Sequence, residues 1–316
     1  MNEKLNVFVN KIRDAKSILI VGHKNPDGDS LCSVLAIARL IEINFNKTSV
    51  CIYDGSISDA LDNVPCRSNV KYVTCLDVNT KFDLAIVVDY GTLVNIGGSI
   101  DFIKSANYVV EIDHHINKAP IADLCINDVN AAATGQIVYD IMNVAGWKYD
   151  MDVLNLLGVA ILTDTGNFKF VKNGNVLRVM ADLVDKNVQV GELIELLKNK
   201  PKKAIQTEAR VASNAEFYYR GRLAVAVIGA RDYKNIDGRG ETVLGLLGQI
   251  KGVEYIALLK EQKEKQIGIS FRSRKMPINQ IAEKFGGGGH PCAAGAVVYD
   301  CLDAVKKQVI EIFKGG

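Results

Sequence analysis

The sequence predicts an α/β protein of two units: a larger N-terminal domain on a parallel sheet and a smaller C-terminal α/β domain, with the active site in the cleft between them. Three observations carry this expectation. Over the first two-thirds of the chain, short apolar runs alternate with stretches of helical periodicity, the pattern of strand–helix–strand units on a parallel sheet. Acidic residues follow directly behind several of those runs, where the C-terminal strand ends of an open α/β sheet line a ligand site. A basic stretch, Lys198-Asn-Lys-Pro201-Lys-Lys203, then interrupts the pattern. It divides the chain into a domain over 1–197, a linker over 198–215 and a second domain over 216–316.

Ser17-Ile-Leu-Ile-Val-Gly22 reads as a first strand. Ser30 stands where a helix N-cap would, ahead of the apolar stripe Leu31, Val34, Leu35, Ala38 and Ile41. Further strands are expected over 48–53, 83–89 and 108–112. Helices are expected over 132–146 and 151–163, the second so apolar that it must be buried, and then over 176–186 and 190–197. Beyond the basic stretch, strands over 223–228, 255–259, 267–271 and 294–299 mix with helices over 242–249, 279–285 and 302–313.

With 48% hydrophobic and 23% charged residues, the 316-residue chain has ample material for two cores. Its apolar runs have strand length, too short to span a membrane. The charged Met-Asn-Glu-Lys-Leu start lacks the apolar segment of a signal peptide, and the seven cysteines show no Cys-x-x-Cys spacing. Both point to a cytoplasmic protein with reduced thiols. Charge is unevenly divided. Residues 1–200 hold 19 Lys and Arg against 24 Asp and Glu, net −5, and residues 201–316 hold 19 against 12, net +7. An acidic half suits divalent cations and a basic half suits phosphate.

The four histidines fall in three acidic or glycine-rich clusters: His23-Lys-Asn-Pro-Asp27-Gly-Asp29-Ser30, Asp113-His-His115 and Gly286-Gly-Gly-Gly-His290. Asp27 and Asp29 follow the first strand, Asp89 ends another, Asp113-His-His115 follows a third, and Asp164 follows the apolar helix. A single aspartate behind a strand caps a helix or closes a turn. Four segments delivering carboxylates and imidazoles to one sheet edge are different, because like charges a few ångströms apart need a counter-charge. His23, Asp27, Asp29, Asp89, His114 and Asp164 are enough to hold two divalent cations that share a carboxylate. A donor set of Asp and His without cysteine suits Mn²⁺ best, with Mg²⁺, Co²⁺ or Fe²⁺ as alternatives. Asp27-Gly-Asp29-Ser is not an EF-hand loop, since Cys32 stands where that loop needs glycine.

In the C-terminal half, the run Gly286–Gly289 lets backbone approach a ligand closely and turn N–H groups toward an anion. No Gly-Lys-Ser/Thr follows, so the run is not a Walker A loop. Arg272 and Arg274 sit two apart on an expected strand, which puts two guanidiniums on one face, suited to phosphate oxygens.

Asn25-Pro-Asp27-Gly-Asp29-Ser30, Asp89, Asp113-His-His115, Thr163-Asp-Thr165 and Gly286-Gly-Gly-Gly-His290 resemble, in order and content, the motifs of the DHH phosphoesterase family. The chain is most similar to that family's nanoRNase and pAp phosphatase branch, which carries a DHH-associated C-terminal domain. The likeness runs from residue 17 to residue 299, and it departs at Pro291-Cys-Ala-Ala-Gly295, where a more polar stretch is expected. The resemblance implies an Mn²⁺-dependent two-metal hydrolase with His23, Asp27, Asp29, Asp89, His114 and Asp164 as ligands and Asp89 as the bridge. His115 would orient the phosphate or stabilise the leaving oxygen, and Asp113 would hold a neighbouring histidine in its tautomer. Arg272, Arg274, Gly288, Gly289 and His290 would grip the phosphate and sugar of the next nucleotide, favouring very short substrates. Those substrates would be short RNA or DNA oligonucleotides and pApA, cleaved to mononucleotides, and pAp, dephosphorylated to AMP. The resemblance also suggests a homodimer.

Three other readings bear on the same residues. A family II inorganic pyrophosphatase shares the DHH domain and has a basic C-terminal motif like Ser273-Arg-Lys275, but the Gly286–His290 stretch speaks against it. A RecJ-type processive exonuclease needs a further nucleic-acid-binding domain. A metal-dependent nucleotide sensor that does not cleave would be expected to lack one of the metal-binding carboxylates, and all are present.

Overall fold

Continuous apolar runs mark strands buried on both faces, and here they do so. The computed structural model describes residues 2–116, 121–171, 173–236 and 240–314. It divides into two units, Met1–Asn199 and Lys200–Gly316.

In the first unit, α1 (Asn2–Asp14) leads to β1 (Ile18–Val21), α2 (Gly28–Phe45), β2 (Val50–Tyr53) and β3 (Val70–Tyr72). Then come β4 (Leu84–Val88), α3 (Ile100–Lys104), β5 (Val109–Asp113) and β6 (Leu124–Asn127). Four helices close the unit: α4 (Thr134–Val144), α5 (Met151–Asp164), α6 (Asn175–Asp185) and α7 (Val190–Lys198). The six strands form one parallel sheet in the order β3-β2-β1-β4-β5-β6. The chain turns one way after β1 and the other way at β4, so the switch point lies between these two strands.

Every residue of β1, β4 and β5 is buried. One sheet face packs Ile18, Ile20, Ile86 and Val110 under α1, α2, α4 and α5. The other packs Leu19, Val21, Val87 and Phe102. The expected apolar helix is α5, N-capped by Asp150, which accepts from Val153 N–H at 3.1 Å. Its apolar side chains from Val153 to Leu162 are all buried.

The expected N-cap at Ser30 is corrected. Helix α2 begins at Gly28, and Asp27 caps it by accepting from Ser30 N–H. The Ser30 hydroxyl is already occupied, accepting the His23 N–H at 3.0 Å. That turn is tight enough that a Cβ on Gly22 would lie 2.1 Å from Ser30 Oγ.

The second unit contains α8 (Lys202–Ser213), β7 (Glu216–Tyr218), β8 (Leu223–Ile228), α9 (Ala230–Tyr233) and α10 (Glu241–Gly248). After them come β9 (Tyr255–Lys263), β10 (Gln266–Ser273), α11 (Asn279–Glu283), β11 (Gly288–His290), β12 (Ala293–Val298) and α12 (Leu302–Ile312). Its mixed sheet runs β11-β12-β10-β9-β8-β7, and β8 and β9 are its one parallel pair among the described strands. Most of the stretch expected as linker is helix α8, whose Ala204 and Val211 pack with α10 against Ala224 and Leu258 of the sheet. The opposite sheet face packs Phe271, Ile269 and Leu259 with Val305 and Val309 of α12.

Part of the glycine-rich run is strand rather than open loop. Gly288–His290 pairs antiparallel with Ala293–Gly295. Just before that strand glycine is required at 287, where a Cβ would meet Gly295 O at 2.0 Å.

Candidate metal and phosphate site

The C-terminal ends of β1, β4 and β5 flank the switch point, and each feeds site residues directly. β1 runs into His23, Asp27 and Asp29, β4 into Asp89, and β5 ends on Asp113 ahead of His114 and His115. Asp164 is the last residue of α5.

These side chains form three overlapping groups, each with ligand atoms within 4.8 Å of one another: His23, Asp27 and Asp89; Asp89, Asp113, His114 and His115; and Asp29, His114 and Asp164. Asp89 and His114 are each shared by two groups. Asp89 Oδ2 lies 3.8 Å from His23 Nε2, and its Oδ1 lies 3.5 Å from His114 Nε2. His114 Nε2 is also 3.5 Å from Asp164 Oδ2. The centre is dry and the mouth is wet: the Asp89 side chain is 4% exposed, those of Asp164 and Asp27 32% and 35%.

All three clustered imidazoles place Nδ1 against an oxygen: Lys24 O at 2.9 Å for His23, Ala131 O at 3.4 Å for His114 and Asp113 Oδ1 at 2.8 Å for His115. In His23 and His114, donation from Nδ1–H leaves the Nε2 lone pair to face the cluster, as in metal-binding histidines. Asp113 is saturated from all sides. Its Oδ1 accepts His115 Nδ1–H and N–H, and its Oδ2 accepts Tyr90 N–H at 3.0 Å and Gly91 N–H at 2.8 Å. Asp29 accepts from Thr134 N–H, Gly135 N–H and the Ser33 hydroxyl.

The carboxylates set a strongly negative field. Burial, then the charges of Asp89, Asp164 and Asp27, raise Asp29 well above the usual carboxylate range. Burial, with Asp89 and Asp27 against the opposing pull of His114, pushes Asp164 up to about 6. For His23, burial works downward, but the hydrogen bond and charge of Asp27 with the charge of Asp89 win and carry it to about 9. His114 is likewise raised by Asp89 and Asp164 against burial. Asp113 goes the other way: burial opposes, but hydrogen bonds from His115 and Gly91 hold it below the usual range.

The remaining expected site residues lie in the second unit. Arg272 on β10, Ala293 on β12 and His290 on β11 form one cross-strand row, with Gly288, Gly295 and Ser270 in the next row on the same face. Helices α8 and α10 cover that face over β8 and β9. Glycines and alanine dominate its outer half. Arg272 Nη2 donates to Glu241 Oε1 at 2.6 Å. Arg274 lies just past the end of β10, its guanidinium donating to Gly248 O, so the two arginines do not share a strand as expected. Gly289, with φ +140°, faces Ala294 at a spacing that leaves no room for a Cβ.

Comparison with known proteins decides the family. Residues 17–161 match the DHH family N-terminal domain, and residues 221–315 match the DHHA1 domain. The chain belongs to the DHH family. It is a DHH-family phosphoesterase with a C-terminal DHHA1 domain. It is 26% identical to a bifunctional oligoribonuclease and PAP phosphatase of Thermus thermophilus, over 98% of this chain and 93% of that one. It is 28% identical to the protein of the same description from Bacillus subtilis, over 91% of each. An exopolyphosphatase-related protein from Bacteroides fragilis has the same fold, with TM-score 0.89 at 23% identity, covering 99% of this chain and 97% of that one.

The DHH cluster fits divalent cations on its own geometry. His114 Nε2 is buried without a hydrogen-bond partner and points at two carboxylates. The donors are carboxylate oxygens and imidazole nitrogens, the set that suits Mn²⁺ or Mg²⁺ and not a thiophilic ion.

Sequence reasoning missed three contributors. Thr134 joins the cluster from the start of α4, and its one signal is a hydroxyl residue at the edge of an expected helix. Tyr90 and the buried Glu111 are the others. Tyr90 Oη donates to Glu111 Oε2 at 2.5 Å, tying the loop after Asp89 to β5.

Proposed function

We propose that this DHH phosphoesterase is an Mn²⁺-dependent two-metal hydrolase that degrades very short oligonucleotides, pApA among them, to mononucleotides and converts pAp to AMP. The observation that carries the two-metal reading is Asp89, whose two oxygens face two different groups of ligand atoms. The descriptions of the relatives from Thermus thermophilus and Bacillus subtilis support the choice of substrates.

In this reading His23, Asp27, Asp29, Asp89, His114 and Asp164 would hold the cations, and Asp89, which belongs to two of the groups, would be shared between them. Two divalent ions there would bring an attacking water near neutral pKa and offset the phosphate charge. His115, held by Asp113 through Nδ1, directs Nε2 to the phosphate or the leaving oxygen, which places a proton donor where charge develops. Arg272 and His290, in one row beside Gly288 and Gly289, grip the next phosphate and sugar, and Arg274 adds positive charge nearby. Holding the far end of a substrate positions its scissile ester. A cytoplasmic homodimer belongs to the same proposal; light scattering after size-exclusion chromatography checks its mass.

The test is hydrolysis of pApA, an RNA pentamer, pAp and pyrophosphate side by side in Mn²⁺, with EDTA and Asp89→Ala as controls. AMP from pApA and pAp, lost in both controls, is the expected result. Cleavage of pyrophosphate alone would replace this reading with the pyrophosphatase one, and tight nucleotide binding without turnover would replace it with a sensor.

A further inference from the structure

Helix α4 begins beside the ligand cluster with a side chain that none of the motifs contains. Thr134 is fully buried and touches two of the clustered aspartates. Its backbone N–H donates to Asp29 Oδ2 at 2.6 Å, and its hydroxyl donates to Asp89 Oδ1 at 3.0 Å. Gly135 N–H completes the hold on Asp29 at 2.9 Å.

The two contacts differ in kind. Asp29 is fixed mainly by backbone donors. Asp89 depends on a side chain, because the Thr134 hydroxyl is nearer its carboxylate than any imidazole: His114, His115 and His23 stand at 3.5, 3.6 and 3.8 Å. A carboxylate without such a contact rotates readily about its terminal torsion, which is broad and two-fold. The β-branched threonine has a stiff χ1 and so presents its hydroxyl in a fixed direction. With Oδ1 pinned toward His114, Oδ2 is left facing His23.

We infer that Thr134 is the positioning residue that keeps Asp89 shared between two divalent cations. Its loss costs the second cation and the coupling between the two, and leaves the fold intact. The inference rests on the two-metal reading above.

The experiment is a Mn²⁺ titration of the metal-free full chain, followed by calorimetry and by electron paramagnetic resonance, which separates an exchange-coupled Mn²⁺ pair from isolated ions. Wild type is expected to bind two coupled ions. Thr134→Val, which keeps the shape and drops the hydroxyl, should weaken the second ion by roughly 10-fold or more, in line with other outer partners of metal ligands. It should also lose the coupled signal. Thr134→Ser should restore both. Wild-type affinity and coupling in Thr134→Val overturn the inference while leaving the two-metal reading standing. A single ion in wild type overturns the two-metal reading and this inference with it. If metal-free Thr134→Val does not fold, Thr134→Ala is read in its place. Failure of both to fold makes the role structural and also overturns it.

Discussion

Asp113 holds His115 at two points: one carboxylate oxygen accepts the histidine backbone N–H at 2.9 Å and its ring Nδ1–H at 2.8 Å. The other oxygen accepts two backbone N–H groups from the loop that follows Asp89. One buried carboxylate therefore sets the geometry of two strand ends. Asp113→Asn must turn an amide donor toward donors on one side or the other. Expected are a loss of about 2–4 kcal/mol in unfolding free energy and a fall in turnover larger than that in Mn²⁺ affinity. Chemical denaturation and steady-state kinetics check the two parts, and unchanged values in both would refute the assignment.

His115 is 36% exposed at its side chain and brings Nδ1 to 3.6 Å from Asp89 Oδ1; in the proposed mechanism it is a proton donor and not a ligand. Replacement by alanine should cut turnover of pAp by roughly 10²–10⁴-fold, the range for one proton-transfer group. Both Mn²⁺ ions should stay in place, as metal analysis of the purified variant would show. Loss of metal would make His115 a ligand instead.

Tyr90 and Glu111 form a buried hydrogen bond close behind the site. Tyr90→Phe removes the donor and leaves the carboxylate in place. The expected cost is about 1–3 kcal/mol of stability, read from the shift of the urea midpoint at constant slope.

Metal-free protein should lose stability as pH climbs. Asp164 sits at about 6 in the fold, above an ordinary carboxylate, so its contribution is complete below about 4 and is lost through about 6. His23, raised to about 9, contributes fully below about 6.5 and loses that contribution through about 9. Both signs agree. Mn²⁺ has to displace these protons, so its stabilisation should grow with pH across the same window. Thermal melts with and without Mn²⁺ at pH about 6 and about 8 test this. A gap in Tm that does not widen would contradict it.

Arg272 lies on the second unit's open sheet face beside His290. Arg272→Ala should raise KM for pAp by roughly 10-fold or more with little change in kcat, the mark of lost uniform binding. An equal fall in kcat would move Arg272 into the chemical step.

The parallel sheet was legible because strands buried on both faces read as unbroken apolar runs, as in Ile18–Val21 and Leu84–Val88. β3 and β6 escaped because one is three residues long and the other only half-buried, so neither makes a clear pattern. Glycine composition points to loop, yet Gly288 and Gly289 are strand, paired across to Gly295 and Ala294, with the approach so close at Gly289 that a Cβ would lie 2.6 Å from the Ala294 Cα. The candidate ligands stood out by residue type at strand ends. Thr134 did not, because its contacts reach across about a hundred residues of chain to Asp29, and only the folded sheet edge brings them together.

Asp89 adopts a left-handed backbone conformation, φ +52°, which glycine and asparagine tolerate better than aspartate. It also stands among other carboxylates. A residue shared by two groups of the cluster is therefore one that folding alone would not choose. In a metal-free melt, Asp89→Asn, which keeps an acceptor for the Thr134 hydroxyl, should be no less stable than wild type, and inactive. A lineage released from the need for turnover would have a downhill route out of catalysis at this position, with the scaffold left intact for another use.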